Sequence, residues 1–333
     1  MTGDPGGFGR VEGRAARTGP RRRRAIPGCS TPHRTGALAL DPAGAAVLAA
    51  AMPMLTGHTR LAGVIGWPIA HSRSPRLHNH WLARHGIDGA YVPLPVRPDG
   101  LADAVRGLRA TGFAGFNATI PHKEALFALC DRLLEPALRA GAVNTVVFEP
   151  DGAITGTNTD GAGYLASLRA EGVAPAAGPA LLLGAGGAAR AIAAALLDEG
   201  APVAVTNRTP ERAEALAEAL PGLRVLAWER RAEALADHAL LVNTTSLGMA
   251  GQGALELSLD RAPAGMAVSD IVYVPRRTAL LKAAEARGLR AVEGLGMLLH
   301  QAVPGFAAWF GTEPEVDRET YEVVARDIPL DEA

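Results

Sequence analysis

Hydrophobic and polar positions divide the chain into two regimes. Up to residue 58 no apolar periodicity is sustained. From residue 60 onward, short apolar runs alternate with longer stretches whose apolar residues recur at helical spacing. This alternation marks an α/β protein. Runs at 61–67, 90–96 and 115–120 predict three strands, with helices opening near Ser74 and spanning 100–110. After a further helix, one strand is predicted to run into Gly156 and Thr157. A second series at 181–183, 202–206, 223–227, 239–243, 266–274 and 290–292 predicts six strands with crossover helices, including one at 278–287. Six strands connected in this way predict a doubly wound parallel sheet. The apolar stretch that opens at Gly294 is expected to run as one helix to Phe310 and to cross back onto the first unit.

Residues 1–58 differ in kind. They are rich in Gly, Pro, Thr and Arg, and up to residue 51 carry eight Arg against three acids. Such a segment is expected to be a disordered basic extension. Asp41 and Pro42 interrupt its feeble apolar stretch, so no export signal is expected. Met52 and Met54 offer later starts that would omit the extension, and the intact mass of the native protein would reveal residues 1–51 if they are present.

The whole chain is 48% apolar and 20% charged with a net charge of −1, which describes a soluble globular protein without a nucleic-acid or membrane signature. No apolar run approaches the length of a membrane span. Cys29 and Cys130 have no C-x-x-C neighbour and form no disulfide framework, which points to the reducing cytoplasm.

The candidate chemistry begins at A-L-L-L-G-A-G-G-A-A-R, residues 180–190. A buried strand breaks into a glycine-rich turn and restarts as an alanine-rich helix. Gly184, Gly186 and Ala189 fit G-x-G-x-x-A: the first permits the turn, the second lets backbone approach a pyrophosphate, and the third allows close helix–strand packing. Unpaired amides at the helix start would receive the phosphates. At the end of the next strand, where an NAD site usually carries an acid, stand Asn207 and Arg208, with Arg212 a turn further on. That substitution of charge suits the 2′-phosphate of NADP.

The chain holds 31 Arg but only two Lys, Lys123 and Lys282. An arginine cannot release its proton whereas a lysine can, so a retained lysine invites a functional reading. Lys282 reads as helix surface. Lys123 lies just past a strand end, where ligands gather in open α/β sheets. Asp160, followed by Gly161, reads either as a turn or helix cap or as a carboxylate facing Lys123. Ser74-Pro75 reads as an N-cap with proline at the first helical position, and with Ser72 it makes a helix start suited to a carboxylate. His71, His78, His80 and His85 crowd this region without zinc-type spacing. They are expected on a solvated helix face, and no metal site is expected.

In this order the pieces S-R-S-P, N-A-T-I-P-H-K, A-G-A-V-N-T, G-T-N-T-D-G, G-A-G-G-A-A-R, N-R-T-P-E-R and G-L-G-M-L-L-H-Q-A resemble the shikimate dehydrogenase family from about residue 61 to the C-terminus. The resemblance implies a two-lobed α/β fold, a C-terminal Rossmann-type doubly wound sheet plus a smaller α/β substrate domain. It implies residues 59–159 and 295–333 as the substrate-binding catalytic domain and 160–294 as the NADP-binding domain. The implied reaction is NADPH-dependent reversible reduction of 3-dehydroshikimate to shikimate, a step of aromatic amino acid and chorismate biosynthesis. Lys123 and Asp160 would be the acid/base pair. Ser72 and Ser74 would hold the substrate carboxylate, and Thr119, Asn144, Tyr273 and Gln301 would bind ring hydroxyls or the carboxylate. Gly184, Ala185, Gly186, Gly187, Ala188, Asn207, Arg208, Thr209 and Arg212 would hold NADP(H), Ile271 and Gly294 would flank the nicotinamide, and Glu135 falls at a further cofactor contact. His122 departs from the Phe that some members carry. The protein would act as a monomer or homodimer on a small-molecule substrate. The alternatives are a quinate/shikimate dehydrogenase using NAD, and a catalytically silent protein that binds a shikimate-type ligand.

Overall fold

The computed structural model describes residues 55–331. Most of the basic extension therefore lies outside the described residues. At the start of the described residues, the hydroxyls of Thr56 and Thr59 both donate to the Asp88 carboxylate.

Two six-stranded sheets follow one another. The first contains β1 (Arg60–Gly66), β2 (Gly89–Pro95), β3 (Phe113–Ala118), β4 (Arg132–Leu133), β5 (Thr145–Phe148) and β6 (Ile154–Thr157), in the order β2-β1-β3-β5-β6-β4. Strands β2, β1 and β3 are parallel, while β5 runs antiparallel to both β3 and β6. The single strand expected before Thr157 is thus a hairpin. Its turn closes by the Glu149 amide donating to the Ala153 carbonyl and the Gly152 amide to Glu149. Helices α1 (Ser74–Arg84), α2 (Leu101–Ala110) and α3 (Glu135–Ala140) accompany this sheet.

Helix α4 (Asp160–Ala170) leads to the second sheet: β7 (Ala180–Leu183), β8 (Val203–Thr206), β9 (Arg224–Val225), β10 (Leu240–Asn243), β11 (Ala267–Asp270) and β12 (Arg290–Val292). All its pairings are parallel, in the order β12-β11-β10-β7-β8-β9. That is the doubly wound arrangement, with its switch point between β7 and β10. Helices α5 (Gly187–Asp198), α6 (Pro210–Ala219), α7 (Arg231–Ala234) and α8 (Ala279–Ala286) connect the strands. Sheet periodicity sorts the core: Leu182, Val205 and Val242 face one layer, while Leu181, Leu183, Leu241 and Val268 face the other. With both faces covered, strands such as A-L-L-L read as unbroken apolar runs.

The C-terminal part comprises α9 (Gly294–His300), α10 (Val303–Phe310) and α11 (Arg318–Ala325). The continuous helix expected to Phe310 is broken. Pro304 has no amide for the His300 carbonyl, and its ring crowds that oxygen, so the chain turns at Gln301 and Ala302. Leu295, Leu299, Phe306 and Trp309 then pack with Ala62, Val64, Leu77 and Trp81 of the first unit.

Three local expectations are corrected. Strand β3 stops at Ala118, and the Thr119 amide makes its last ladder bond, to the Ile65 carbonyl. Strand β11 stops at Asp270, whose own carboxylate captures the Val272 amide at 3.0 Å. Ser74 is the first helical residue of α1 rather than its cap, since Arg73 already has helix-like dihedrals. The histidines also divide: His71 and His85 are exposed, but His78 is completely buried on the face shared with Leu77 and Trp81. It stacks on Tyr91 at 3.9 Å, and burial pushes its pKa down to about 3.

Candidate functional site

A cleft of about 750 Å³, its open mouth included, lies between the two sheets, within the size range of small-molecule sites. It gathers Ser72, Ser74, Thr119, Lys123, Asn144, Asp160, Tyr273 and Gln301, together with Ile271 and Gly294. Those residues come from loops that leave β1, β3 and β11, from the segment that enters β5, and from the starts or ends of α1, α4 and α9.

At its floor, Lys123 Nζ donates to Asp160 Oδ2 at 2.6 Å. The lysine side chain is 28% exposed and the aspartate 8%, so the amine reaches the cleft over an almost buried carboxylate. Asp160 is the first residue of α4, where the helix dipole favours negative charge. Its second oxygen accepts from Asn144 Nδ2 at 2.8 Å. Backbone fixes the lysine too, since the Val143 amide donates to the Lys123 carbonyl at 2.8 Å. His122, beside it, is buried and donates through Nε2 to the Val96 carbonyl at 2.8 Å, so this departure from Phe adds a tether to the same loop.

Polar groups continue around Asn144. Its Oδ1 accepts from the Thr159 amide and from Thr145 Oγ1, each at 2.9 Å. Its Nδ2 also lies 3.4 Å from Gln301 Oε1. Asn117 lines the cleft as well, its Oδ1 accepting from the Tyr91 hydroxyl at 2.6 Å and its Nδ2 donating to Thr145 Oγ1 at 3.0 Å. Asn117 and His71 are lining residues to which sequence reasoning gives no role. Asn117 could have been singled out as a scarce amide at the end of a strand.

Above the serines, α1 begins with uncapped amides and no acid in its first turn, an environment that favours an anion. Ser74 is nearly buried and its amide faces Ser72 Oγ at 3.4 Å. From the other lobe, Tyr273 and Ile271 reach the cleft just beyond β11. Burial raises the Tyr273 pKa, keeping the phenol protonated.

The glycine turn lies on the same edge of the second sheet. Leu183 and Asp270 both flank Asn243 in register, so the turn after β7 and the loop after β11 stand two strand spacings apart, roughly 10 Å. Gly184 has φ +106°, a conformation that L side chains rarely adopt. Among the described residues no side chain caps α5, and added Cβ atoms at Gly186 and Gly187 would meet nothing within 4 Å. Ala185 and Ala188 flank them half-buried. Beyond β8, Asn207 Nδ2 closes the loop onto the Thr209 carbonyl at 2.8 Å. Arg208, Thr209 and Arg212 are exposed, and among the described residues neither arginine pairs with a carboxylate. Free amides, open glycines and two unpaired guanidiniums fit a phosphorylated dinucleotide. Glu135 sits at the exposed start of α3, outside the cleft lining. Among the described residues no group of three or more His, Cys, Asp or Glu is placed to hold a metal, and no helix is long and apolar enough to cross a membrane.

Residues 64–146 match the family model of the shikimate dehydrogenase substrate binding domain, and residues 170–277 that of shikimate / quinate 5-dehydrogenase. The shikimate dehydrogenase (NADP(+)) of Acidiphilium cryptum is 68% identical over 275 residues, 83% of this chain and 99% of that protein. Among solved structures, shikimate 5-dehydrogenase from Thermus thermophilus in complex with NADP(H) and shikimate is 41% identical, with a TM-score of 0.73 over 80% of this chain and 99% of that one. Quinate dehydrogenase from Corynebacterium glutamicum in complex with NAD is 31% identical, with a TM-score of 0.75 over 80% of this chain and 99% of that one. Two matched domains in the right order and identity of this depth make the chain a member of the shikimate dehydrogenase family.

Proposed function

We propose that this chain catalyses the reversible, NADPH-dependent reduction of 3-dehydroshikimate to shikimate, a step of chorismate and aromatic amino acid biosynthesis. The observation that carries the reading is the Lys123–Asp160 pair, 2.6 Å apart, on the floor of a cleft that also holds two helix-start serines. Ser72, Ser74 and the free amides of α1 bind the substrate carboxylate. Thr119, Asn144, Tyr273 and Gln301 supply donors and acceptors for the ring hydroxyls. This anchors the ring so that its ketone faces Lys123.

Bound NADPH supplies the hydride. As negative charge develops on the ketone oxygen, the Lys123 ammonium stabilises it and delivers a proton from Nζ. Asp160 directs that ammonium. Both carboxylate oxygens already accept hydrogen bonds, from Lys123 and Asn144, which supports the lysine over the aspartate as the proton donor. Gly184, Ala185, Gly186, Gly187 and Ala188 take the pyrophosphate, Asn207, Arg208, Thr209 and Arg212 the adenosine ribose and its 2′-phosphate, and Ile271 and Gly294 the nicotinamide. Glu135, exposed at the start of α3, is a further cofactor contact. Residues 59–159 with 295–333 form the substrate lobe, and 160–294 the cofactor lobe. The enzyme works in the cytoplasm as a monomer or homodimer.

The loss of reduced-nicotinamide absorbance with 3-dehydroshikimate tests the reading, run with NADPH and NADH. The reverse reaction is run with shikimate and quinate. We expect a preference for NADPH, and for shikimate, of about tenfold or more, the scale of one charge-assisted contact. Preference for NADH and quinate would instead mark a quinate enzyme, and ligand binding without turnover a silent binding protein.

A further inference from the structure

We propose that Asp270 is a positioning residue, whose buried carboxylate fixes the loop that presents Ile271 and Tyr273 to the cleft. The inference rests on the substrate role proposed for Tyr273. Asp270 ends β11 and is completely buried. Its Oδ1 accepts from the Val272 amide and from Asn243 Nδ2, both at 3.0 Å, and its Oδ2 accepts from Thr278 Oγ1 at 2.7 Å. These partners are neutral, and among the described residues no salt bridge reaches the carboxylate. Burial pushes its carboxyl up to about 6. Burying a carboxylate without a cation is costly, and such cost concentrates where geometry matters to function.

The three donors come from two places, Val272 and Thr278 from the loop after β11 and Asn243 from the end of β10. The Val272 amide turns the chain out of the sheet, so Ile271 and Tyr273 face the cleft. Thr278 caps α8 by accepting from the Leu281 amide, which fixes the far end of the same loop. Asn243 extends the linkage to the loop after β10: its Nδ2 donates to the Leu247 carbonyl at 3.1 Å, and its Oδ1 accepts from Thr245 Oγ1 at 2.7 Å. Gly294 closes the other side, where an added Cβ would meet the Asp270 carbonyl at 2.7 Å. Beyond this anchor, Tyr273 and Val274 leave the second lobe and pack against the core of the first. One carboxylate therefore sets the angle at which the loop crosses between lobes.

The test is a double-mutant cycle with Asp270→Ala and Tyr273→Phe in the full-length enzyme, reading KM for shikimate, kcat and the Kd for NADP+. Asp270→Ala is expected to raise the shikimate KM about 10-fold or more through loss of loop placement. The Kd for NADP+ should rise by less than the shikimate KM, because Ile271 meets only the nicotinamide while the pyrophosphate turn and the arginine pair belong to other strands. In the Tyr273→Phe background, Asp270→Ala should add less than about twofold, since the tyrosine it positions is already disabled. Asp270→Asn keeps one acceptor oxygen and the shape, and should bring the KM back to about threefold that of the parent. Additive effects, an unchanged KM in Asp270→Ala, or a parallel loss of NADP+ affinity would each overturn the inference while leaving Tyr273 at the substrate. An unchanged KM in Tyr273→Phe alone would remove the substrate role of Tyr273 and the inference with it. Should Asp270→Ala not fold, Asp270→Asn decides: a KM raised about threefold, the value of one hydrogen bond, at unchanged Tm supports positioning, and an unchanged KM refutes it.

Discussion

Gly163→Ala offers a demanding check on how the two lobes are held. Gly163 lies in α4, three residues after Asp160, against the end of α9. A Cβ at this position would meet Gln301 Cβ and N at 2.5 Å and Cα at 2.6 Å. Carbon contacts settle near 3.5–4.0 Å, so the helices must part by about 1 Å. That motion separates Asp160, at the start of one helix, from Gln301, at the end of the other. A misplacement of about 1 Å is worth roughly 100-fold in rate, or about 2.7 kcal/mol of transition-state stabilisation. Stability should change much less. Overpacking costs about 1–3 kcal/mol, but alanine is favoured over glycine in a helix by about 1 kcal/mol. Steady-state kcat/KM for NADPH and 3-dehydroshikimate, measured beside thermal unfolding, separates the two effects. Gly107→Ala serves as control, because Gly107 lies exposed in α2 with nothing within 4 Å of an added Cβ. It should leave activity intact and add up to about 1 kcal/mol of stability. If Gly163→Ala keeps kcat/KM within about threefold of the parent, the close approach does not position the site and the argument fails.

Two further predictions follow from other parts of the molecule. Arg208→Ala and Arg212→Ala should each raise KM for NADPH about 10-fold or more by removing a charge-assisted contact, while leaving kcat/KM with NADH nearly unchanged; equal losses with both cofactors would mean that neither arginine reads the 2′-phosphate. His78, with neither ring nitrogen hydrogen-bonded among the described residues and a folded pKa of about 3, binds its proton more readily in the unfolded chain. Between pH 6.5 and pH 3 it therefore makes stability fall as pH falls, by about 2 kcal/mol from pH 7 to pH 5. Denaturant unfolding at those two pH values should show a smaller drop for His78→Phe, and an equal drop would mean that the imidazole is not buried in its neutral form.

Much of this architecture is legible in the sequence because each layer leaves a periodic trace. Leu181, Leu182 and Leu183 are apolar together because both faces of β7 are covered, and the same holds along β8 and β10. Lys123 and Asp160 can be singled out, one by scarcity and the other by its place before Gly161. Their 2.6 Å contact depends on the β5–β6 hairpin and the turn into α4, which no local pattern encodes. His78 escapes a local reading because its burial depends on Tyr91 and Phe306, distant in the sequence. The break at Gln301 is hidden by apolar residues on both sides, although Pro304 marks it in retrospect. Asn117 and the Asp270 linkage stay out of view for a related reason: their roles lie in hydrogen bonds between separate strands.

The assignment stands most directly on Lys123. In the NADPH-consuming assay with 3-dehydroshikimate, Lys123→Ala should lose about 10²–10⁴ in kcat, the range of general acid–base catalysis, with KM changed far less. A variant that turns over as fast as the parent would contradict the proposal that this amine delivers the proton.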